Sequence, residues 1–116
     1  MRVIVFGSRE WTNATVVWSA LNQLGPGPHT IIHGGCRGAD RLAANVARGL
    51  GHATIEVSAN WERFGKSAGP KRNALIVSLG ADLAIGFGVS GRGSQDMLRK
   101  LRAAGINIST YEMEAM

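Results

Sequence analysis

At 116 residues the chain has room for one domain with a single core and two helical layers around a sheet. An apolar share of 45%, a mean hydropathy of +0.02 and no apolar run near the ~20 residues of a bilayer span exclude a membrane-spanning helix, and a lone cysteine, Cys36, excludes a disulfide framework. The charge balance, 13 Lys+Arg against 8 Asp+Glu for a net +5, favours polyanionic partners such as nucleotides and nucleic acid.

The chain opens on Val3-Ile4-Val5-Phe6, an apolar run with β-branched content ended by Gly7-Ser8-Arg9. No charged leader with a hydrophobic segment precedes it, and the single cysteine fits a reducing compartment, so a cytoplasmic location is expected. Thr12 or Asn13 can cap a helix whose apolar face is Val16, Val17, Ala20, Leu21 and Leu24, and Gly25-Pro26-Gly27-Pro28 stops it. Thr30 to His33 reads as a buried parallel strand that ends in Gly34-Gly35-Cys36-Arg37-Gly38. From Asp40 an amphipathic helix follows, with Leu42, Ala43, Val46, Ala47 and Leu50 inward and a glycine-flanked end at Gly49 and Gly51.

Ala53 to Val57 alternates more than the other strands and belongs at or near an edge. Ser58 to Gly69 reads as an ordered loop carrying Trp61, Arg63, Phe64 and Lys66, long enough to suggest function. Gly69-Pro70 then starts a helix, with Pro70 at the first helical position and Leu75, Ile76 and Leu79 as its buried face. Asp82 to Phe87 is the fourth strand, followed by the loop Gly88 to Ser94 and a helix with Met97, Leu98 and Leu101 inward. Ile106 to Tyr111 is the fifth strand, and residues 112–116 are expected to form a frayed tail.

This alternation predicts an α/β fold in one domain over residues 1–111. The expected form is a compact Rossmann-like three-layer sandwich, its five-stranded parallel sheet in the order 3-2-1-4-5 with helices on both faces. Ligands of such sheets lie beyond the carboxyl ends of the strands, where strand order reverses. Arg9, Arg37, Arg63, Lys66, Lys71, Arg72 and Arg92 all fall in the loops or first helical turns of that rim, which points to a phosphate site.

Two glycine motifs are set aside. Gly86-Phe87-Gly88-Val89-Ser90-Gly91 matches a dinucleotide fingerprint, but it lies in the last βα unit, with no chain left for a second mononucleotide half. Gly65-Lys66-Ser67 resembles the end of a P-loop, yet Asn60 stands where its first glycine belongs and Trp61, Glu62 and Phe64 would block the backbone cradle. The isolated His29 and His52, with no metal-ligand spacing nearby, give no reason to expect a metal or a cofactor. Cys36 reads as a small filler, and His33 as a strand-end residue satisfied by a backbone group.

Four motifs remain: Gly7-Ser8-Arg9, His33-Gly34-Gly35-x-Arg37-Gly38-Ala39-Asp40, Gly69-Pro70-x-Arg72-Asn73 and Gly91-Arg92-Gly93-Ser94-x-Asp96-Met97. In that order they resemble the YspA-type branch of the SLOG superfamily, which also holds the Lonely-guy phosphoribohydrolases and the DNA-uptake protein DprA. The resemblance implies a nucleotide or nucleotide-derived ligand, AMP-like or ADP-ribose-like, bound over the strand ends. In the Lonely-guy enzymes a P-G-G-x-G-T-x-x-E loop and an upstream arginine bind ribose phosphate and help cleave the N-glycosidic bond. Arg72 matches that arginine and Asp96 roughly matches the glutamate. Val89-Ser90 replaces the Pro-Gly start, Ser94 replaces threonine, and the acid is shorter.

The expected site therefore has two walls, Gly34, Gly35, Arg37, Gly38 and Asp40 on one side and Gly91, Arg92, Gly93, Ser94 and Asp96 on the other. Arg72 and Asn73 stand between them, and Gly7, Ser8 and Arg9 lie beside them. Phosphate is expected on the amides of both walls, with Arg37, Arg72 and Arg9 as counter-charges and Asp96 on the sugar. Asp40 is expected to cap its helix, to meet the ribose or to position an arginine, and Trp61 and Phe64 to stack on the base or cover the sheet edge. Such a site suits a sensor or sequestering protein. The first alternative is a nucleoside-monophosphate N-ribosidic hydrolase with Arg72 and Asp96 as catalytic residues. The second is a single-stranded DNA module like DprA. A homo-oligomer is expected, through the helix Met97 to Arg102 or the helix Val16 to Leu24.

Overall fold

Successive side chains of a strand point to opposite faces of its sheet. In β1 (Arg2–Gly7) both sets are apolar: Val3 and Val5 enter one core, Ile4 and Phe6 the other. The computed structural model describes residues 1–113. Besides β1 it contains β2 (Thr30–His33), β3 (Ala53–Glu56), β4 (Leu83–Phe87) and β5 (Ile108–Tyr111). All pairings are parallel, as the strand-helix alternation predicts, and the order is β3-β2-β1-β4-β5, the one expected of the Rossmann-like form.

Helices cover both faces. α1 (Ala14–Asn22) and α2 (Ala39–Gly49) pack on Val3, Val5, Ile31, Ile85 and Phe87. α4 (Ala68–Ser78) and α5 (Arg92–Ala103) pack on Ile4, Phe6, Ile32 and Ala84. Each fully buried Val, Leu, Ile or Phe contributes roughly 1.5–3 kcal/mol of transfer free energy, so the two cores dominate stability. Because β1 pairs with β2 on one side and β4 on the other, chain order reverses at the middle of the sheet. The loops after β1 and β4 diverge there, leaving a crevice over the strand ends.

Four local expectations change. The connection after β3 is not a loop throughout: Asn60 Oδ1 accepts the N–H of Arg63 and caps a short α3 (Trp61–Phe64), and a 3₁₀ turn over Gly65–Ser67 leads into α4. α4 begins at Ala68, so Pro70 is its third residue, still among the turn-one positions whose N–H lacks a helical partner. β4 and β5 start at Leu83 and Ile108, later than the apolar runs suggest. Asp82 instead uses its carboxylate to accept the N–H of Arg2 at 2.8 Å.

The fourth change is in α4. Leu75 and Leu79 are 52% and 41% exposed, while Ile76 and the polar Asn73 are buried. Asn73 turns inward because three hydrogen bonds await it there, and the two leucines rotate out with it. Trp11, given no place by periodicity, joins the first core with its ring centroid 5.4 Å from that of Phe87 and its Nε1 donating to Asn13 O. Of the tail expected over 112–116, residues 114–116 lie outside the described residues.

The loops after β1 and β2 touch at Gly38, which has φ +81° and would press a Cβ into the carbonyl groups of Ser8 and Arg9. Gly38→Ala is therefore expected to destabilise by about 2 kcal/mol or more in urea denaturation. Gly49→Ala, on helical backbone with open space around it, is expected to be neutral or to stabilise by up to ~1 kcal/mol in the same measurement.

Candidate functional site

The loop after β2 is held from below. Asp40, in the first turn of α2 and 6% exposed, accepts the N–H of Gly34 at 2.9 Å and of Cys36 at 3.4 Å through one carboxylate oxygen. Gly35 donates its N–H to His33 Nδ1 at 3.0 Å, and Ala39 donates to Ser8 O at 3.0 Å. The amides of Gly34, Gly35 and Cys36 are thus engaged within the protein, which alters the geometry expected of the first wall. An anion there would meet guanidinium groups in place of those amides. Burial pushes the Asp40 carboxyl up to about 6, and the N–H of Cys36, the charge of Arg72, the N–H of Gly34 and the charge of Arg9 oppose it.

Above the loop, Arg72 closes the structure. Its Nη1 donates to Gly34 O at 3.0 Å and lies 3.7 Å from Cys36 Sγ, and its Nε donates to Asn73 Oδ1 at 3.0 Å. A Cβ on Gly34 would fall onto the Arg72 guanidinium, so only glycine leaves the arginine its path. Asn73 carries the connection onward, with Nδ2 donating to Gly93 O at 3.2 Å and to Asp96 Oδ2 at 3.0 Å. Asp96 also receives Lys100 Nζ at 2.6 and 2.7 Å. A chain of side chains therefore runs from the loop after β2 through α4 to α5.

Burial alone would raise the Asp96 carboxyl, but hydrogen bonds from Lys100 and Asn73, with the charges of Lys100 and Arg99, hold it below the ordinary carboxylate value. It is an ionised, anchored acceptor and a weak base. His33 is 1% exposed and its pKa is lowered by burial; its Nδ1 accepts from Gly35 and its Nε2 has no partner among the described residues.

The N-terminus of α5 faces the crevice from the other side. Gly91 occupies the N-cap position, no side chain among the described residues caps the helix, and no acidic residue lies in the first turn. Such an end presents unpaired N–H groups and the positive end of the helix dipole. Neither Gly91 nor Gly93 has positive φ or any atom within 4 Å of a built Cβ, so local packing does not require glycine at either position. Between this helix and Arg72 lies a groove of about 570 Å³. It brings together Gly7, Ser8, Arg9, Arg72, Asn73, Gly91, Arg92, Gly93, Ser94 and Asp96, with Trp61 and Lys66 beside them.

The remaining predicted residues lie elsewhere. Gly34, Gly35 and Arg37 line a neighbouring groove of about 430 Å³, which shares Arg9, Trp61 and Arg72 with the first. Asp40 reaches only a small cavity of about 80 Å³ beneath them, and Gly38 lines none of the three. Arg37 pairs with Glu10 at 2.6 Å, both side chains about 70% exposed, a pair worth ~0–1 kcal/mol and easily exchanged for another anion. Sequence reasoning passed over Lys100 and the contact of Arg9 with Trp61, 6.0 Å from guanidinium carbon to ring centroid. The four-residue spacing from Asp96 to Lys100 was the signal for the former.

Comparison with known proteins agrees with these motifs. The sequence model described as the YspA, cpYpsA-related SLOG family matches residues 1–64. The chain belongs to this SLOG family. It is also similar to the Gene 61 protein of Mycobacterium phage D29, with 38% identity over 120 residues covering 95% of each chain. The family match spans β1 to α3 and so contains the Gly7 and Gly34 loops, while Arg72 and the α5 terminus lie beyond it. No helix among the described residues of this SLOG protein is long and apolar enough to cross a membrane.

Because folding raises the Asp40 pKa from 3.8 to about 6, this group favours the folded state at low pH and loses that contribution as pH climbs through about 6. Relative to wild type, Asp40→Asn is expected to gain stability between about pH 4 and pH 7, by up to ~3 kcal/mol. Urea denaturation at both pH values measures the difference; a wild-type minus variant gap that does not change with pH removes Asp40 as an ionised buried group.

Proposed function

We propose that this SLOG protein binds a nucleotide-derived ligand, phosphate plus ribose, at the carboxyl ends of its strands, as a sensor or sequestering protein. The observation that carries the reading is the uncapped N-terminus of α5, open beside its glycines and facing Arg72 across a groove wide enough for a nucleotide. Phosphate would rest on the first-turn amides of α5, with Arg72, Arg92 and Arg9 as counter-charges. The Asp96 carboxylate would accept the ribose hydroxyls. Trp61, 49% exposed at the rim, offers a face to the base.

The state of Asp96 supports binding without turnover. A general base for an attacking water works best with a pKa near the operating pH, and Lys100 and Asn73 move this carboxylate the other way. Oxocarbenium-like charge on the ribose would also meet a carboxylate already neutralised by Lys100.

Titration calorimetry with AMP and ADP-ribose tests the reading. Binding is expected, and Arg72→Ala is expected to weaken it by roughly 10- to 100-fold, the equivalent of one charged hydrogen-bonding group. Chromatography of an incubated mixture is expected to show intact AMP. No binding at millimolar ligand overturns the proposal. Release of adenine and ribose phosphate replaces it with N-ribosidic hydrolysis, in which case Asp96→Asn must abolish the release.

A further inference from the structure

The two grooves over the strand ends differ in charge. The one beside α5 includes Glu10 and Asp96 in its lining. The other, about 430 Å³, has Arg9, Arg37, Arg41 and Arg72 around it and no carboxylate among its lining residues. The guanidinium of Arg9 has no ion-pair partner among the described residues, and Arg37 holds only the exposed and exchangeable Glu10. Arg41 is exposed and donates through Nε to Gly35 O, which fixes its stem and leaves its two terminal amino groups without a protein acceptor among the described residues. Four arginines lining one groove gather positive charge there, and a bound anion would offset it.

Arg9, Trp61 and Arg72 border both grooves, whereas Arg41 borders only this one and Arg92 and Ser94 only the other. A single phosphate on the α5 amides therefore leaves the second cationic groove unneutralised. We infer that the ligand carries two phosphate groups set apart from each other, one on the α5 terminus and one among Arg37, Arg41 and Arg9, with its nucleoside spanning the Arg72–Trp61 boundary. The inference rests on the nucleotide-binding reading above and narrows it: the ligand class is a nucleoside bisphosphate or a dinucleotide, and a nucleoside monophosphate fills only half the site.

Calorimetry with AMP, ADP and adenosine 3′,5′-bisphosphate on wild type, Arg41→Ala and Arg41→Lys tests this. The bisphosphate is expected to bind at least ~10-fold more tightly than AMP, the gain from one further charged contact. Arg41→Ala is expected to erase that advantage with the Kd of AMP unchanged, and Arg41→Lys to restore part of it. The inference is overturned, with the nucleotide reading intact, if the bisphosphate binds no more tightly than AMP, or if Arg41→Ala leaves its affinity alone or weakens AMP equally. An ADP gain equal to that of the bisphosphate, lost in Arg41→Ala, overturns the separation of the two phosphates. If none of the three nucleotides binds wild type, the nucleotide reading falls and this inference falls with it.

Discussion

A carboxylate at 6% exposure must find hydrogen-bond donors and nearby cations, or the fold would not keep it ionised. Asp40 finds both. The N–H groups of Gly34 and Cys36 donate to it, and Arg72 and Arg9 lie close enough to lower its pKa against the larger effect of burial. Much of the site's geometry follows. The loop after β2 is drawn down onto α2, its carbonyl at Gly34 is turned up, and Arg72 settles on that carbonyl. Through Asn73 the same arginine is tied to Gly93 and Asp96, so the two walls of the crevice are joined by side chains and not by backbone.

This gives the two glycine loops different work. The loop at Gly34 uses its amides internally and contributes a rigid seat for Arg72. The α5 terminus has no capping side chain among the described residues and contributes the positive end of a helix. Asp96, the residue that would have to act as a base, is instead the far anchor of the chain from Gly34, fixed by Lys100. A rigid arginine, an open helix end and a neutralised acid are the features on which the proposal of anion binding without water activation rests.

The sheet and most helices could be read from the chain because apolar runs with period-two or helical spacing end in glycine at nearly every turn. Alternation and crossover handedness gave the parallel sheet with helices on both faces, while the order of its strands came with the Rossmann-like form and not from the pattern of apolar residues. The rotation of α4 could not be read, because hydrogen bonds to a buried Asn73 outweighed the apolar pattern of Leu75, Ile76 and Leu79. The motifs bring Gly7 to Arg9, Arg72, Gly91 to Ser94 and Asp96 around one groove. What they did not specify was direction. Whether Asp40 faces a ligand or its own loop depends on the turn at Gly35 and Gly38, both with positive φ, and on where the neighbouring loop presses. The grip of Lys100 on Asp96 was within reach of sequence reasoning, since side chains four apart on a helix meet.

In the proposed binding mode the anion sits on α5 and the Gly34 loop is its scaffold. Amide chemical shifts, followed by nuclear magnetic resonance while AMP is added, test it directly. The largest displacements are expected at Arg92, Gly93 and Ser94, with Gly34, Gly35 and Cys36 nearly still because their N–H groups stay on Asp40 and His33. Large displacements at Gly34 to Cys36, with the α5 amides unmoved, would contradict it.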